Sequence, residues 1–188
     1  MAKAFNHWYH VTVHAYGSWL PGDARGWRSK NHRVHVDGDY KNPPPRGKYS
    51  NIYTAMQGRM KRDAVVIDQS LKLRVVSALI KKLESDRVEP IVAALDSRHL
   101  HILARFFDDN PKHWIGRAKK HSSHALRQEQ LRTAEGGLWA ANCHVKPILD
   151  RAHQVRVFRY IEAHANKGAV VWRFTPPAKP ADGHPRGT

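Results

Sequence analysis

An α+β domain built in the order βαββαβ is predicted by three observations in this chain of 188 residues. A β-branched and aromatic run, Trp8 to Tyr16, precedes a segment with helical apolar spacing, Asp68 to Glu84. Two apolar runs, Ile91 to Leu95 and Leu100 to Phe106, are then broken only by Asp96-Ser97-Arg98, short enough for an antiparallel hairpin. A further helix, strand and helix follow. Helices split between strands around an internal hairpin match a ferredoxin-like antiparallel sheet, with a long basic loop insertion after the first strand and an extra C-terminal helix.

The first strand, opening Trp8-Tyr-His-Val-Thr-Val, is expected to lie centrally in the sheet. From Gly17 to about Arg62 the pattern dissolves into Gly, Pro, Asn and Asp, including Leu20-Pro-Gly-Asp23 and Asn42-Pro-Pro-Pro-Arg-Gly47, and reads as loop. Its aromatic residues Trp19, Trp27, Tyr40, Tyr49 and Tyr53 either stack on unpaired bases or pin the insertion to the body. In the next helix Leu73, Val76, Ile80 and Leu83, widened by Leu79, form the core stripe. Asp108-Asp-Asn-Pro111 starts a helix running from Trp114 to about Arg132, with Arg117, Lys120, His124 and Arg127 on one face. Cys143 to Leu149 reads as an edge or bulged strand because of Pro147, and Asp150 caps a last helix that ends at Gly168. Val170 to Phe174 adds a short strand. One domain over residues 1–174 and a disordered tail over 175–188 complete the division.

Thirty-two Lys and Arg against 16 Asp and Glu leave a formal charge of +16. An excess of that size on a chain this short calls for a polyanion, and nucleic acid is the expected partner. No stretch approaches the roughly 20 apolar residues of a membrane span. Cys143 is the sole cysteine, which excludes intramolecular disulfides and Cys-based zinc frameworks. With no targeting segment at the start, a cytoplasmic protein is expected.

His99-Leu100-His101 opens the second hairpin strand. Alternation along a strand sends both imidazoles to one face and Leu100 into the core, so the pair can grip a metal. A chain with 14 His produces such pairs by chance, and the pair alone is weak. In the last helix Tyr160 and His164 stand one turn apart on one face. If that helix crosses the sheet near His99, His164 completes a three-imidazole site with the Tyr160 hydroxyl beside it.

These residues carry a resemblance. His99-Leu100-His101 is similar to the His-hydrophobe-His motif of the HUH endonucleases, and a single tyrosine in Arg159-Tyr-Ile-Glu-Ala-His-Ala-Asn-Lys-Gly-Ala169 resembles the single-tyrosine transposases. Within that group lie the insertion-sequence-200-like transposase domain and the REP-associated tyrosine transposases. The likeness covers most of residues 8–172, including the loop Tyr16-Gly-Ser-Trp-Leu-Pro-Gly-Asp23.

The resemblance implies a bacterial cytoplasmic enzyme that acts on single-stranded or hairpin DNA. Tyr160 would attack a backbone phosphorus, leaving a free 3′-hydroxyl and a 5′-phosphotyrosine that a later 3′-hydroxyl can displace. A divalent metal ion, Mg2+ or Mn2+, held by His99, His101 and His164, would polarise the phosphate. Relatives commonly carry Gln or Asn four residues after the tyrosine. His164 preserves the ligand role but shifts the preference from magnesium toward manganese and, in vitro, nickel or zinc. Metal affinity is then expected to fall below about pH 6, where free imidazoles protonate.

Arg117, Lys120, Arg127 and Lys167 are the expected DNA contacts. A homodimer is the favoured assembly, with the tyrosine helix serving either its own chain or its partner. Two other readings remain: a domesticated binder of single-stranded or hairpin DNA that does not cut it, and a three-histidine hydrolase using a bound water.

Overall fold

The computed structural model of the chain describes residues 4–25, 27, 45–128 and 136–176. Five strands, β1 (Trp8–Ala15), β2 (Glu89–Leu95), β3 (His99–Arg105), β4 (Trp139–Pro147) and β5 (Val170–Arg173), form one sheet in the order β4-β1-β3-β2-β5. Every pairing is antiparallel, and β1 is indeed interior. Four helices, α1 (Ser50–Gly58), α2 (Gln69–Ser85), α3 (Pro111–Gln128) and α4 (Arg151–Glu162), accompany it in an α+β arrangement of ferredoxin-like type.

Alternation assigns the two faces. Tyr9, Val11, Val13 and Ala15 of β1 and Leu100, Ile102 and Ala104 of β3 bury against α2 and α3 in the main core. Each fully buried aliphatic side chain there stabilises the fold by roughly 1.5–3 kcal/mol. On the opposite face α4 packs Val157 and Ile161 against Val92, Ala94 and Leu103. This second core covers the β2 and β3 half of the sheet and leaves His10, Thr12 and His14 of β1 only half-buried.

Several boundaries differ from the expectation. The stretch read as loop from Gly17 to Arg62 contains α1, and its residue Tyr40 lies outside the described residues. Gly22 adopts φ 88°, and a Cβ there would run into the backbone of Tyr53, so the loop presses directly on α1. In α2, capped by Asp68 accepting from the Ser70 N–H at 2.9 Å, Leu73 is exposed while Lys72 and Val75 are buried. The packed stripe is therefore rotated by part of a turn from the one expected. Lys72 is tolerated inside because its ammonium donates to the Gly168 carbonyl at 3.2 Å. Helix α3 is described to Gln128, and the expected continuation to Arg132 lies outside the described residues.

Strand β4 begins at Trp139, earlier than Cys143, and its register against β1 shifts between Val13 and Ala15. The carbonyls displaced by that irregularity meet one buried cation. Lys119 of α3 donates to the carbonyls of Ala140, Ala141 and Asn142 at 2.6, 2.9 and 3.2 Å. Asp150 caps α4 by accepting from the His153 N–H at 2.6 Å. The α-helix stops at Glu162, and Ala163–Lys167 tighten into a 3-10 turn before Gly168 at φ 76°. Loss of α-helical winding there places His164 in a tighter turn than expected.

Candidate active site

Strand β3 presents His99 and His101 to the α4 side of the sheet, and the turn after α4 brings His164 against them. One ring nitrogen from each of the three lies within 4.8 Å of the others. The His101 ring stands 4.7 Å from His164 and 4.9 Å from His99, centroid to centroid. Among the described residues this is the one cluster able to hold a metal ion.

Each ring is oriented from behind through Nδ1. His99 Nδ1 lies 2.6 Å from Asp96 Oδ2, and Asp96 also accepts the backbone N–H of Arg98 and His99 at 2.6 Å. His164 Nδ1 lies 2.9 Å from the carbonyl oxygen of Tyr160. A carboxylate and a carbonyl only accept, so a neutral ring there carries its proton on Nδ1 and keeps the Nε2 lone pair for a cation. His101 Nδ1 is 3.1 Å from both Thr12 Oγ1 and His10 Nε2. Support of this kind, from carboxylate, carbonyl and hydroxyl, is what imidazole ligands require. The donor set thus fits a divalent ion of the first transition row, for which imidazole is a good ligand.

Burial, reinforced by the neighbouring His99, His10 and His164, pushes His101 down to about 2. Burial likewise pushes His10 and His14 down to about 4, with Lys146 and His99 respectively adding to it. These rings are neutral at pH 7. Burial opposes ionisation of Asp96, yet hydrogen bonds from His99 and from the Arg98 and His99 backbone outweigh it and hold the carboxyl well below its usual range.

Tyr160 projects from α4 into this group while half its surface stays exposed. Its ring lies 4.7 Å from His164, 5.4 Å from His101 and 6.0 Å from His10. Tyr160 and the His pair therefore meet within one chain. The uncovered half of the same face carries Thr12 opposite His144 and His10 opposite Lys146 across the β1 and β4 pairing, a polar and basic floor beside the tyrosine.

The four expected DNA contacts divide. Lys167 is exposed in the turn three residues after His164. Arg117, Lys120 and Arg127 are exposed on α3, in the layer on the other side of the sheet from α4. Lys120 and Arg127 line a groove of about 420 Å³ between α3 and β4, whereas Arg117 is tied to Asp86 at 3.2 Å and lies over the Trp114 ring. The sequence reading missed His10, Thr12, His14 and Asp96. For His10, Thr12 and His14 the signal was the period-two run His10-Val-Thr-Val-His14, which puts three polar side chains on one face of a strand.

Among the described residues no helix is long and apolar enough to cross a membrane. No family model matches the sequence, and no curated protein matches it. A solved structure similar in fold is that of a REP-associated tyrosine transposase bound to a REP hairpin, with 13% identity, 89% of this chain and 72% of that chain covered, and a TM-score of 0.49.

Proposed function

We propose that this chain is a metal-dependent single-stranded DNA endonuclease or transposase that cleaves and rejoins strands through a 5′-phosphotyrosine on Tyr160. The observation that carries this reading is the position of the half-exposed Tyr160 ring, 5.4 Å from His101 and 4.7 Å from His164, on a basic and uncovered sheet face. His99, His101 and His164 would hold Mn2+ or Mg2+, which when bound withdraws charge from a phosphate oxygen and makes its phosphorus electrophilic.

Residues of the chain supply the rest. Tyr160 forms its oxygen–phosphorus bond as the bond to the 3′ oxygen breaks, and the phenol proton lost is balanced by the proton the 3′ oxygen gains. The link keeps one phosphodiester for every one opened, so a second 3′-hydroxyl can reverse the step with no external energy source. His10 and Thr12 hold His101, Asp96 holds His99, and the Tyr160 carbonyl holds His164, so the ligands are aimed before any ion arrives. Lys146 and Lys167 offer charge to the strand on either side, and Lys120 and Arg127 reach phosphates that pass the β4 edge.

Covalent trapping tests the assignment. Protein, labelled hairpin or single-stranded DNA and Mn2+ or Mg2+ should give an adduct that survives denaturation and is lost in Tyr160→Phe. Cleavage persisting in Tyr160→Phe would instead indicate a hydrolase with a bound-water nucleophile. Tight binding with no cleavage under either ion would indicate a DNA-binding protein.

A further inference from the structure

A cleft of about 430 Å³ opens between the loop after β1 and α1, lined by Gly22, Asp23, Arg25, Tyr49, Tyr53 and Arg98 among others. We propose that it seats one unpaired nucleobase of the DNA strand, a few nucleotides from the phosphate presented to Tyr160. This inference rests on the function proposed above and names a specificity subsite for it.

The cleft adjoins the candidate metal site through both backbone and rings. Arg98 directly precedes His99, and its carbonyl accepts from the Ala15 N–H at 2.7 Å and the Ser18 hydroxyl at 3.2 Å. The loop is thereby rooted on the turn that begins the His99 strand. A row of rings covers the remaining distance: His99 lies 6.0 Å from His14, His14 lies 5.4 Å from Trp19, and the Arg25 guanidinium sits 4.6 Å over Trp19. A strand crossing that row reaches the cleft within about three nucleotides of the metal site.

Bonding within the cleft decides which part of a nucleotide goes where. Arg25 donates through Nε and Nη2 to Asp23 at 2.9 and 2.6 Å, and through Nη2 to the Ser18 carbonyl at 2.6 Å. Its charge is balanced by Asp23 and that donor edge is occupied, so it is a poor phosphate ligand. What it offers the cleft is a flat guanidinium plane, backed by Trp19 and fixed in place, which suits stacking on a base. Tyr49 and Tyr53 line the cleft from α1 and its approach, with the Tyr49 ring 5.7 Å from that of Trp27. Arg98 is exposed on the cleft lining, it meets Asp96 through its backbone N–H, and its guanidinium is the cation placed for the adjoining phosphate. Contact between Gly22 and the Tyr53 backbone ties loop to helix, so the cleft exists before the strand arrives.

The test replaces single nucleotides around the cleaved phosphate by abasic sites and measures the rate of covalent adduct formation. One abasic position should slow wild type by about 5- to 150-fold, the range expected for one stacked base. With Arg98→Ala or Tyr53→Leu, each shown folded by its melting temperature, the intact strand should react slowly and the abasic site should cost little more. No sensitive position, or a full abasic penalty retained in both variants, would overturn the cleft.

Binding provides a second readout that does not need cleavage. In Tyr160→Phe, 2-aminopurine at the sensitive position should lose fluorescence on binding and regain it when Arg98→Ala or Tyr53→Leu is added. Quenching without any wild-type adduct would support the cleft and refute the cleavage reading. An adduct in wild type with no quenching at any position would refute the cleft alone.

Discussion

His164 is held by the backbone of Tyr160: its Nδ1 lies 2.9 Å from the Tyr160 carbonyl oxygen, so the candidate third ligand and the candidate nucleophile share one turn of chain. Because the ring is tied to the helix that bears the tyrosine, movement of α4 would displace both together. His164→Ala should weaken Mn2+ binding by tenfold or more, measured by calorimetry, and lower adduct yield in parallel. His164→Gln should restore part of the binding. Unchanged affinity in His164→Ala would remove it from the site.

Asp96 bears on His99 in the same way. Its carboxylate accepts from the imidazole and from two backbone N–H groups of the hairpin turn. Asp96→Asn should cost about 10–100-fold in metal affinity. It should also lower stability by about 1–3 kcal/mol, because an amide replaces a charged acceptor of several hydrogen bonds. A variant with native affinity would show that His99 needs no support from behind.

Stability of the metal-free protein should fall on mild acidification. His10 and His14 titrate near 4 in the folded chain, against about 6.5 when unfolded. Above about pH 7.5 both rings are neutral in either state and contribute no slope. Between about pH 6.5 and 4 the unfolded chain binds more protons, so stability declines by up to about 1.4 kcal/mol per pH unit for each ring. His14→Gln should flatten the fall in melting temperature across that window. Burial already keeps His101 unprotonated, so it adds little to proton competition for the metal near pH 6.

Lys119→Met should destabilise the fold by about 2–4 kcal/mol in urea titrations. The substitution leaves three strand carbonyls without the ammonium that now satisfies them, and methionine supplies bulk but no donor. A loss below about 0.5 kcal/mol would mean that water replaces the lysine at the β4 edge.

Basic residues of α3 should differ in their effect on DNA affinity. Lys120→Ala and Arg127→Ala should each flatten the slope of log affinity against log salt by about 0.7–0.9. Arg117→Ala should change it less, since that side chain already pairs with Asp86. Equal slopes for all variants and wild type would place the DNA wholly on the α4 side of the sheet.

Local spacing made much of the site legible. Period two along a strand forces His99 and His101 onto one face, and one helical turn joins Tyr160 to His164. Asp150 as a cap, Gly168 as a terminator and the hairpin around Asp96 are likewise short-range chemistry, and each stands where its residue type predicted. Helix α1 went unread because a nine-residue segment bordered by Gly and Pro has no strong apolar period. Leu73 was misassigned because Lys72, two-faced in its apolar stem and charged tip, found a carbonyl partner inside.

By itself, then, the sequence determined the order of the elements and which polar side chains share a face, because both follow from backbone periodicity. Tertiary structure decided that the turn after α4 docks at the His99 end of β3. It also decided that Thr12 and His10 stand behind His101 and that Trp19 and Arg25 extend from His14 toward a cleft. Those neighbours are set by strand register and helix packing between residues far apart in the chain, and no local pattern encodes them.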